Sequence, residues 1–269
     1  MKFLYVTTAI LTLAFATGPA KADSHLQSEA EDTLWADVTY IKISDKSAIS
    51  EYVEKRGLLV KRAYDHAKEE GLILNWQLFL VEGSQDYDLV SIKVGESLDN
   101  LAKLAGPGLL DFVGELTEAE QATWETYEAM KTTVLADTYW LESSVSQEPA
   151  QVGAPITVRY VKTKPGQYEN YRKVASELFR KLHTVHVEEG RLGAWHFAGR
   201  YLPRGRSSDY DFVAFKQFPS TAVDLADPFL GQELDERARA ALTSDEWEKV
   251  RSVDSMRDVV SQVVWRRAL

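Results

Sequence analysis

Polar and aromatic side chains in the predicted strands are the best candidates for chemistry in this sequence. Successive residues of a strand point to opposite faces of a sheet, so alternate residues share one face. The apolar set is expected to lie under helices: Trp76, Leu78, Leu80, Val90, Ile92 and Val94. The other face then carries the candidate ligand-binding residues: Tyr40, Lys42, Asn75, Gln77, Tyr87, Ser91, Lys93, Arg159, His196, Tyr210 and Lys216. Such a mixture is typical of a small-molecule pocket. The alternative is that these groups satisfy one another where two sheets pack.

His196 is the candidate catalytic residue, because an imidazole can exchange a proton near neutral pH. Without a predicted partner it is better interpreted as a hydrogen-bonded core residue. His183 and His186 stand three residues apart on a predicted helix and could share a metal. They fall on the buried stripe of that helix, however, so we predict no metal site. No cofactor is expected either.

The elements that position these residues occur twice along the chain. Tyr52, Gly71 and Trp76 recur 119 residues later as Tyr171, Gly190 and Trp195. Further matches follow the same order, with a slightly larger offset: Asp86-Tyr87-Asp88 with Asp209-Tyr210-Asp211, Leu116-Thr117 with Leu242-Thr243, and Trp140 with Trp265. The offset of 119 also matches Gln77 with His196 and Tyr40 with Arg159. An ordered series of matches indicates an internal duplication.

Each copy is predicted to run strand, helix, strand, strand, helix, strand. Alternation predicts strands over 38–43, 72–81, 88–94 and 138–141 in the first copy, and near 156–162, 192–201, 211–218 and 262–266 in the second. Helices are predicted from Ile49 to a stop at Gly71, over 117–134, and near 167–188 and 244–258. Residues 147–155, with two prolines and a glycine, are the predicted linker. The predicted domains are therefore residues 23–150 and 151–269.

This order, with a glycine-ended first helix, a tryptophan in the second strand and a tyrosine before the third, resembles the dimeric α/β-barrel superfamily of ferredoxin-like domains. The resemblance implies an α+β fold in which two tandem βαββαβ units pack sheet to sheet within one chain. Members of that superfamily include cofactor-free monooxygenases, isomerase-like and decarboxylase-like enzymes and haem-binding proteins. No catalytic motif accompanies the resemblance, so it carries over no catalytic residue.

Composition limits the function classes. The sequence has 269 residues and no cysteine, which excludes disulfides and thiolate chemistry. Residues 23–150 hold 10 basic and 25 acidic residues, whereas residues 151–269 hold 19 basic and 16 acidic ones. The basic excess of the second half fits an anionic ligand, a complementary surface between the copies, or solvated helix faces. With a pI near 5.1, nucleic-acid binding is not expected.

The first 22 residues are predicted to be a signal peptide. A lysine precedes an apolar run, and Ala20-Lys21-Ala22 has the small-x-small pattern of a cleavage site. We therefore expect an exported protein, periplasmic or secreted, with no membrane span in the mature chain. Its expected partners are a small anionic or aromatic molecule and, in a homo-oligomer, further copies of itself.

The sequence supports two function classes. The first is a small-molecule-binding protein with a pocket between the two sheets, nearer the second copy, where Arg159, Lys216 and the hairpin residues Arg204 and Arg206 add positive charge. The alternative is a cofactor-free enzyme, monooxygenase- or isomerase-like, in which His196 accepts a proton and Arg159, Asn75 or Gln77 steadies an oxyanion. An open or a filled space between the sheets discriminates pocket from packing.

Overall fold

Eight antiparallel strands form a closed barrel in the computed structural model, which describes residues 34–146, 151–202, 209–220 and 238–269. The predicted signal peptide, residues 147–150 of the predicted linker and the hairpin residues Arg204 and Arg206 lie outside these ranges. The strands are β1 (Trp35–Ile43), β2 (Asn75–Glu82), β3 (Leu89–Gly95), β4 (Lys131–Ser146), β5 (Pro155–Thr163), β6 (Ala194–Leu202), β7 (Phe212–Gln217) and β8 (Arg257–Arg267). The fold is α+β, as the alternation in the sequence predicts.

Helices cover the outside of this barrel. They are α1 (Ile49–Tyr52), α2 (Leu58–Glu69), α3 (Leu98–Lys103), α4 (Leu110–Val113), α5 (Glu118–Ala129), α6 (Tyr168–Lys173), α7 (Arg180–Glu188) and α8 (Ser244–Arg251). A π-helical segment joins α1 to α2 (Val53–Gly57) and another joins α6 to α7 (Val174–Phe179). Helices α5 and α8 both begin at a capping box, which satisfies their first backbone N–H groups. Within the described residues no helix is long and apolar enough to cross a membrane.

Two strands are longer than the sequence predicts, and they close the barrel. The order around it is β1-β3-β2-β8-β5-β7-β6-β4. Strand β4 pairs with β1 through its first part and with β6 through its second, and β8 pairs with β5 and β2. The predicted strands 138–141 and 262–266 are only parts of β4 and β8, and the helices before them end at Ala129 and Arg251. The β-branched residues near the start of each strand, at 132–133 and 259–260, are the sequence signal that predicts the longer strands.

The core has an inner and an outer layer. The inner layer lies inside the barrel and draws apolar residues from all eight strands. The outer layer lies between the sheet and the helices, as one cluster around Trp76 and another around Trp195, which confirms the prediction for both tryptophans. Both faces of the sheet are therefore covered by protein, except at the exposed first halves of β4 and β8.

The face assignment for β3 and β7 is wrong by one residue. The register places Trp76 opposite Lys93 and Trp195 opposite Lys216, so these lysines lie on the helix side. Val90, predicted to lie under helices, belongs to the barrel interior. The reason is that both faces of a closed, helix-covered sheet are apolar, so hydrophobicity does not distinguish them.

Candidate functional site

A network of tyrosines and one ion pair fills one end of the barrel interior. The Tyr40 hydroxyl lies 3.0 Å from that of Tyr160 and 3.3 Å from that of Tyr139, which is 2.7 Å from the hydroxyl of Tyr210. Tyr139 and Tyr210 also donate to Asp137. Burial raises the pKa of Tyr40, Tyr139 and Tyr160 well above the ordinary value, so their hydroxyls stay protonated.

Asp137 is the charged centre of this network, and it is buried. Its Oδ1 accepts hydrogen bonds from Nε and Nη2 of Arg200 at 3.1 and 2.7 Å. The Arg200 guanidinium also lies 4.4 Å from the ring centroid of Tyr210. These groups satisfy one another, so this end of the interior is packed, as the second interpretation of the polar face predicts.

A small cavity of about 60 Å³, the barrel cavity, remains at the other end of the interior, where β1, β2, β5 and β6 begin. Its polar lining consists of Asn75, Gln77, His196 and Gln217, and the rest of the lining is apolar or aromatic. Asn75, Gln77 and His196 are sequence-predicted site residues that the structure brings together. The interior of the barrel is thus mostly filled, and the barrel cavity has room for a very small molecule only.

His196 is buried in this barrel cavity and hydrogen-bonded. Its Nδ1 lies 2.8 Å from Oγ of Ser144 on β4. Burial lowers the pKa of His196 to about 4, which makes the imidazole neutral at pH 7. Arg159 lies on the opposite face of the sheet, so the predicted pairing of a His196 base with an Arg159 oxyanion contact is wrong.

A larger cavity of about 220 Å³, the cationic cavity, lies between the helix side of the sheet and the helices of the second half. Three cations line it: Arg159 on β5, Lys216 on β7 and Arg257 at the start of β8. His183 and His186 of α7 also line it, with their Nδ1 atoms 3.4 Å apart. Aromatic rings complete the lining: Tyr171, Phe179, Trp195, Phe197 and Trp247. Among the described residues, no acidic side chain lines it.

Arg257 is the most deeply buried cation of this cavity, with 8% of its surface exposed. Its Nε and Nη1 are buried and have no hydrogen-bond partner among the described residues. Its Nη2 lies 3.6 Å from the highly exposed carboxylate of Asp254, and its guanidinium lies 5.7 Å from the ring centroid of Tyr171. A buried guanidinium with two unfilled donor groups is costly unless an acceptor enters the cavity.

The pKa values of the groups in the cationic cavity also favour a bound anion. Burial and then the charge of Arg257 lower the pKa of Arg159. Burial and then Lys216 lower the pKa of His183 well below its ordinary value and that of His186 to about 4. Both imidazoles are therefore neutral at pH 7, and the cations around them repel one another. An anion would relieve that repulsion.

The corresponding space in the first half has balanced charges. The charged residues lining this cavity of about 770 Å³ are three acidic and three basic ones: Asp37, Asp99, Glu128, Arg56, Lys93 and Lys131. Lys93 pairs with Asp37 at 2.7 Å, and Glu128 pairs with Lys131 at 2.7 Å and with Arg56. The two halves therefore present different chemistry on the same side of the sheet.

The sequence-predicted site residues divide among these places. Ser91 and Lys93, expected in the barrel interior, lie on the helix side, where Ser91 accepts a hydrogen bond of 2.7 Å from Nε1 of Trp76. Arg159 and Lys216 also lie on the helix side, in the cationic cavity. Lys42 lies at the end of β1, 3.8 Å from Asp88. The predicted site is thus two sites on opposite faces of the sheet.

Two matched pairs of residues are not in comparable positions. Tyr40 points into the barrel, where its neighbour is Tyr160, whereas Arg159 points outward. Trp265 is fully buried in the interior, whereas Trp140 points outward, where its Nε1 donates to Glu142. In these strands the structurally equivalent residues are therefore one residue further apart in the sequence than the matched ones. Strands β1 and β5 each carry a bulge, after residues 40 and 160.

Sequence reasoning missed Asp137, Arg200 and Arg257. Residue 257 was assigned to the end of a helix, and residue 137 to the junction of a helix and a short strand. The pairs of β-branched residues at 132–133 and 259–260 predict longer strands, which include residues 137 and 257. Within the described residues, no group of three or more potential ligands is placed to hold a metal ion.

Comparison with solved structures supports the fold. No protein-family model matches the chain, and no curated protein matches it. A putative monooxygenase from Lactobacillus acidophilus has a TM-score of 0.50 and 12% identity, over 88% of this chain and 94% of that one. A heme-binding protein from Thermus thermophilus (TM-score 0.48, 10% identity, 87% and 92% covered) and a putative chlorite dismutase (0.47, 8%, 87% and 94%) are similar as well.

The similarity to the putative monooxygenase supports the class of fold. The chain has the α+β fold with an antiparallel sheet that occurs in the dimeric α/β-barrel proteins. At 12% identity the likeness concerns the fold alone, and the function has to be argued from the cavities.

Proposed function

We propose that this protein binds a small organic anion with an aromatic or apolar body in the cationic cavity. The observation that carries the proposal is the buried Arg257 guanidinium, which presents two donor groups without a partner among the described residues. Arg159 and Lys216 add positive charge, and a carboxylate or phenolate is the natural acceptor for a guanidinium. The surrounding aromatic rings provide an apolar wall for the body of the ligand.

The size of the cavity sets the size of the ligand. A cavity of about 150 Å³ is large enough for benzene, so 220 Å³ accommodates one aromatic ring with an acidic substituent. The balanced charges of the first-half cavity favour the second half as the anion site. This agrees with the excess of basic residues in the second half of the sequence.

Benzoate and benzamide test this proposal, because they share a ring and a planar substituent and differ in charge. Benzoate should stabilise the protein against heat, by about 2.7 kcal/mol at 100 times its dissociation constant, and benzamide should bind much more weakly. Calorimetric titration of Arg257→Met should show a loss of about 10-fold or more in benzoate affinity, the value of one charged hydrogen bond.

Arg251→Met is the matched control, because Arg251 lies on α8 with its side chain 65% exposed. This variant should bind benzoate like the unaltered protein. Equal affinity of Arg257→Met and the unaltered protein would place the anion site elsewhere. A cofactor-free enzyme is the alternative, favoured by the two neutral imidazoles of His183 and His186 in the same cavity. An anion bound beside them would offset the surrounding cations and raise the pKa of these imidazoles, so that one of them could take a proton from the ligand.

The tandem duplication and the export of the protein also belong to this proposal. Supporting the duplication, Asp88 accepts from the backbone N–H of Ile43 and Asp211 from that of Thr163, at 2.9 Å in both cases. Export rests on the predicted signal peptide at residues 1–22. Mass spectrometry of the protein recovered from the periplasm or medium tests it; an N-terminus at Asp23 is expected, and retention of residues 1–22 would contradict it.

A further inference from the structure

Two buried glutamines line the barrel cavity, and one side-chain atom of each has no hydrogen-bond partner among the described residues. They are Gln77 on β2, with 5% of its surface exposed, and Gln217 on β7, with 4% exposed. The atoms concerned are Nε2 of Gln77, a donor, and Oε1 of Gln217, an acceptor. Nε1 of Trp265, which also lines the cavity, is a further buried donor without a partner among the described residues. Buried polar atoms in folded proteins nearly always have a partner, so unfilled donors and an unfilled acceptor in the lining of one cavity indicate a guest.

The charge of the barrel cavity restricts the guest to neutral molecules. Among the described residues, its lining contains no Asp, Glu, Lys or Arg. His196, the one titratable group on its wall, is neutral at pH 7 because burial lowers its pKa to about 4. The remaining wall is mostly apolar and aromatic, including Trp35, Phe79 and Phe215. An ion would lose its hydration here with no opposite charge in return.

The volume of about 60 Å³ limits the size of the guest. One water molecule needs about 10–15 Å³ of such volume, so the cavity takes about four non-hydrogen atoms. A planar group of that size with both an acceptor and a donor is a carboxamide or a urea.

We propose that the barrel cavity is a binding site for a small neutral carboxamide or urea group, whose carbonyl accepts from Gln77 and whose N–H donates to Gln217. The site lies on the inner face of the sheet, whereas the cationic cavity lies on the outer face. It is therefore independent of the proposed anion site, and either can fail without the other.

Acetamide, acetone and acetate test the proposal in the full chain, because all three have four non-hydrogen atoms in the same planar arrangement. The readout is the side-chain amide NMR signals of Gln77 and Gln217, assigned in the unaltered protein by through-bond correlation with their backbone signals. Acetamide should shift both signals with a millimolar dissociation constant, as its size allows. Acetone, which lacks the donor, should bind more weakly, and acetate should shift neither signal.

The leucine variants add a readout that a structural role of these amides would not give. Because they remove a buried unsatisfied atom, each should melt at an equal or higher temperature than the unaltered protein while losing acetamide binding. Gln151→Leu, at an exposed position, is the control and should retain binding. Arg257→Met should retain acetamide binding as well.

Two results would overturn the proposal. If saturating acetamide leaves both glutamine signals unchanged in the unaltered protein, the cavity holds water only. If acetate shifts them as strongly as acetamide, the site does not select a neutral amide. Both measurements use the unaltered chain and do not depend on whether the leucine variants fold.

Discussion

Replacing Asp137 tests the conclusion that one end of the barrel is a sealed polar core. The carboxylate accepts two hydrogen bonds from Arg200, at 2.7 and 3.1 Å, and one each from Tyr139 and Tyr210. Its side chain is fully buried, and 10% of the Arg200 side chain is exposed. Asp137→Ala removes all four acceptor contacts and leaves a largely buried guanidinium unpaired.

Breaking a buried ion pair on one side costs about 3–5 kcal/mol, and we expect Asp137→Ala to lose that much free energy of unfolding in a urea titration at pH 7. Arg200→Met combined with Asp137→Ala should be more stable than Asp137→Ala alone, because no unpaired charge remains. The control is Asp65→Ala. Asp65 pairs with Lys61 at 2.6 Å on the surface of α2, where such a pair contributes about 0.5 kcal/mol.

A small effect of Asp137→Ala would contradict the sealed core. If Asp137→Ala costs no more than Asp65→Ala, water reaches the network and the interior is open at that end. That result would favour the larger inter-sheet pocket that the sequence predicts. A loss of several kcal/mol, recovered in part by the double variant, supports a sealed interior.

Two further predictions concern the outer core and a buried histidine. Trp76→Ala and Trp195→Ala should each lower the free energy of unfolding by about 3–5 kcal/mol, because both indoles are buried between sheet and helices; a loss below about 1 kcal/mol in a urea titration would contradict that placement. The folded-state pKa of His196 is lowered to about 4, whereas an unfolded histidine titrates near 6.5. The unfolded chain therefore binds more protons than the folded one below pH 6.5, and this contribution to stability, present above pH 6.5, is lost as the pH falls to about 4. His196→Gln should remove roughly 3 kcal/mol of that acid sensitivity, the value of 2.5 pH units, in unfolding titrations at pH 7 and pH 4; equal sensitivity in variant and unaltered protein would show that water reaches the imidazole.

The sequence predicts the order of the strands and of the longer helices, but not the short helices α3 and α4 or the length of two strands. The predicted strands β1 and β5 and the helix leading to Glu188 agree with the structure to within a few residues. Strands β4 and β8 are much longer than predicted. Their first halves carry several polar residues and are exposed, and the hydrophobic pattern therefore does not predict a strand there. The β-branched pairs at 132–133 and 259–260 indicate a strand, but the residues around them do not alternate between polar and apolar, and pairing with β1 or β5 decides the outcome.

The candidate site shows the same limit. The sequence predicts a site of polar and aromatic residues, and three of these, Asn75, Gln77 and His196, line one cavity. Arg159 and Lys216 were assigned to the same face and instead form a second site. Arg257, which carries the functional proposal, was missed because the start of β8 was taken for a helix.

The sequence by itself determined the α+β class, the strand and helix order and the positions of the two tryptophans in helix-covered cores. These follow from local periodicity, which each segment carries alone. Only the tertiary structure decided which face of each strand lines the barrel and which lies under the helices. In a closed barrel wrapped by helices both faces are buried and apolar, so only the register between neighbouring strands distinguishes the inner site from the outer one.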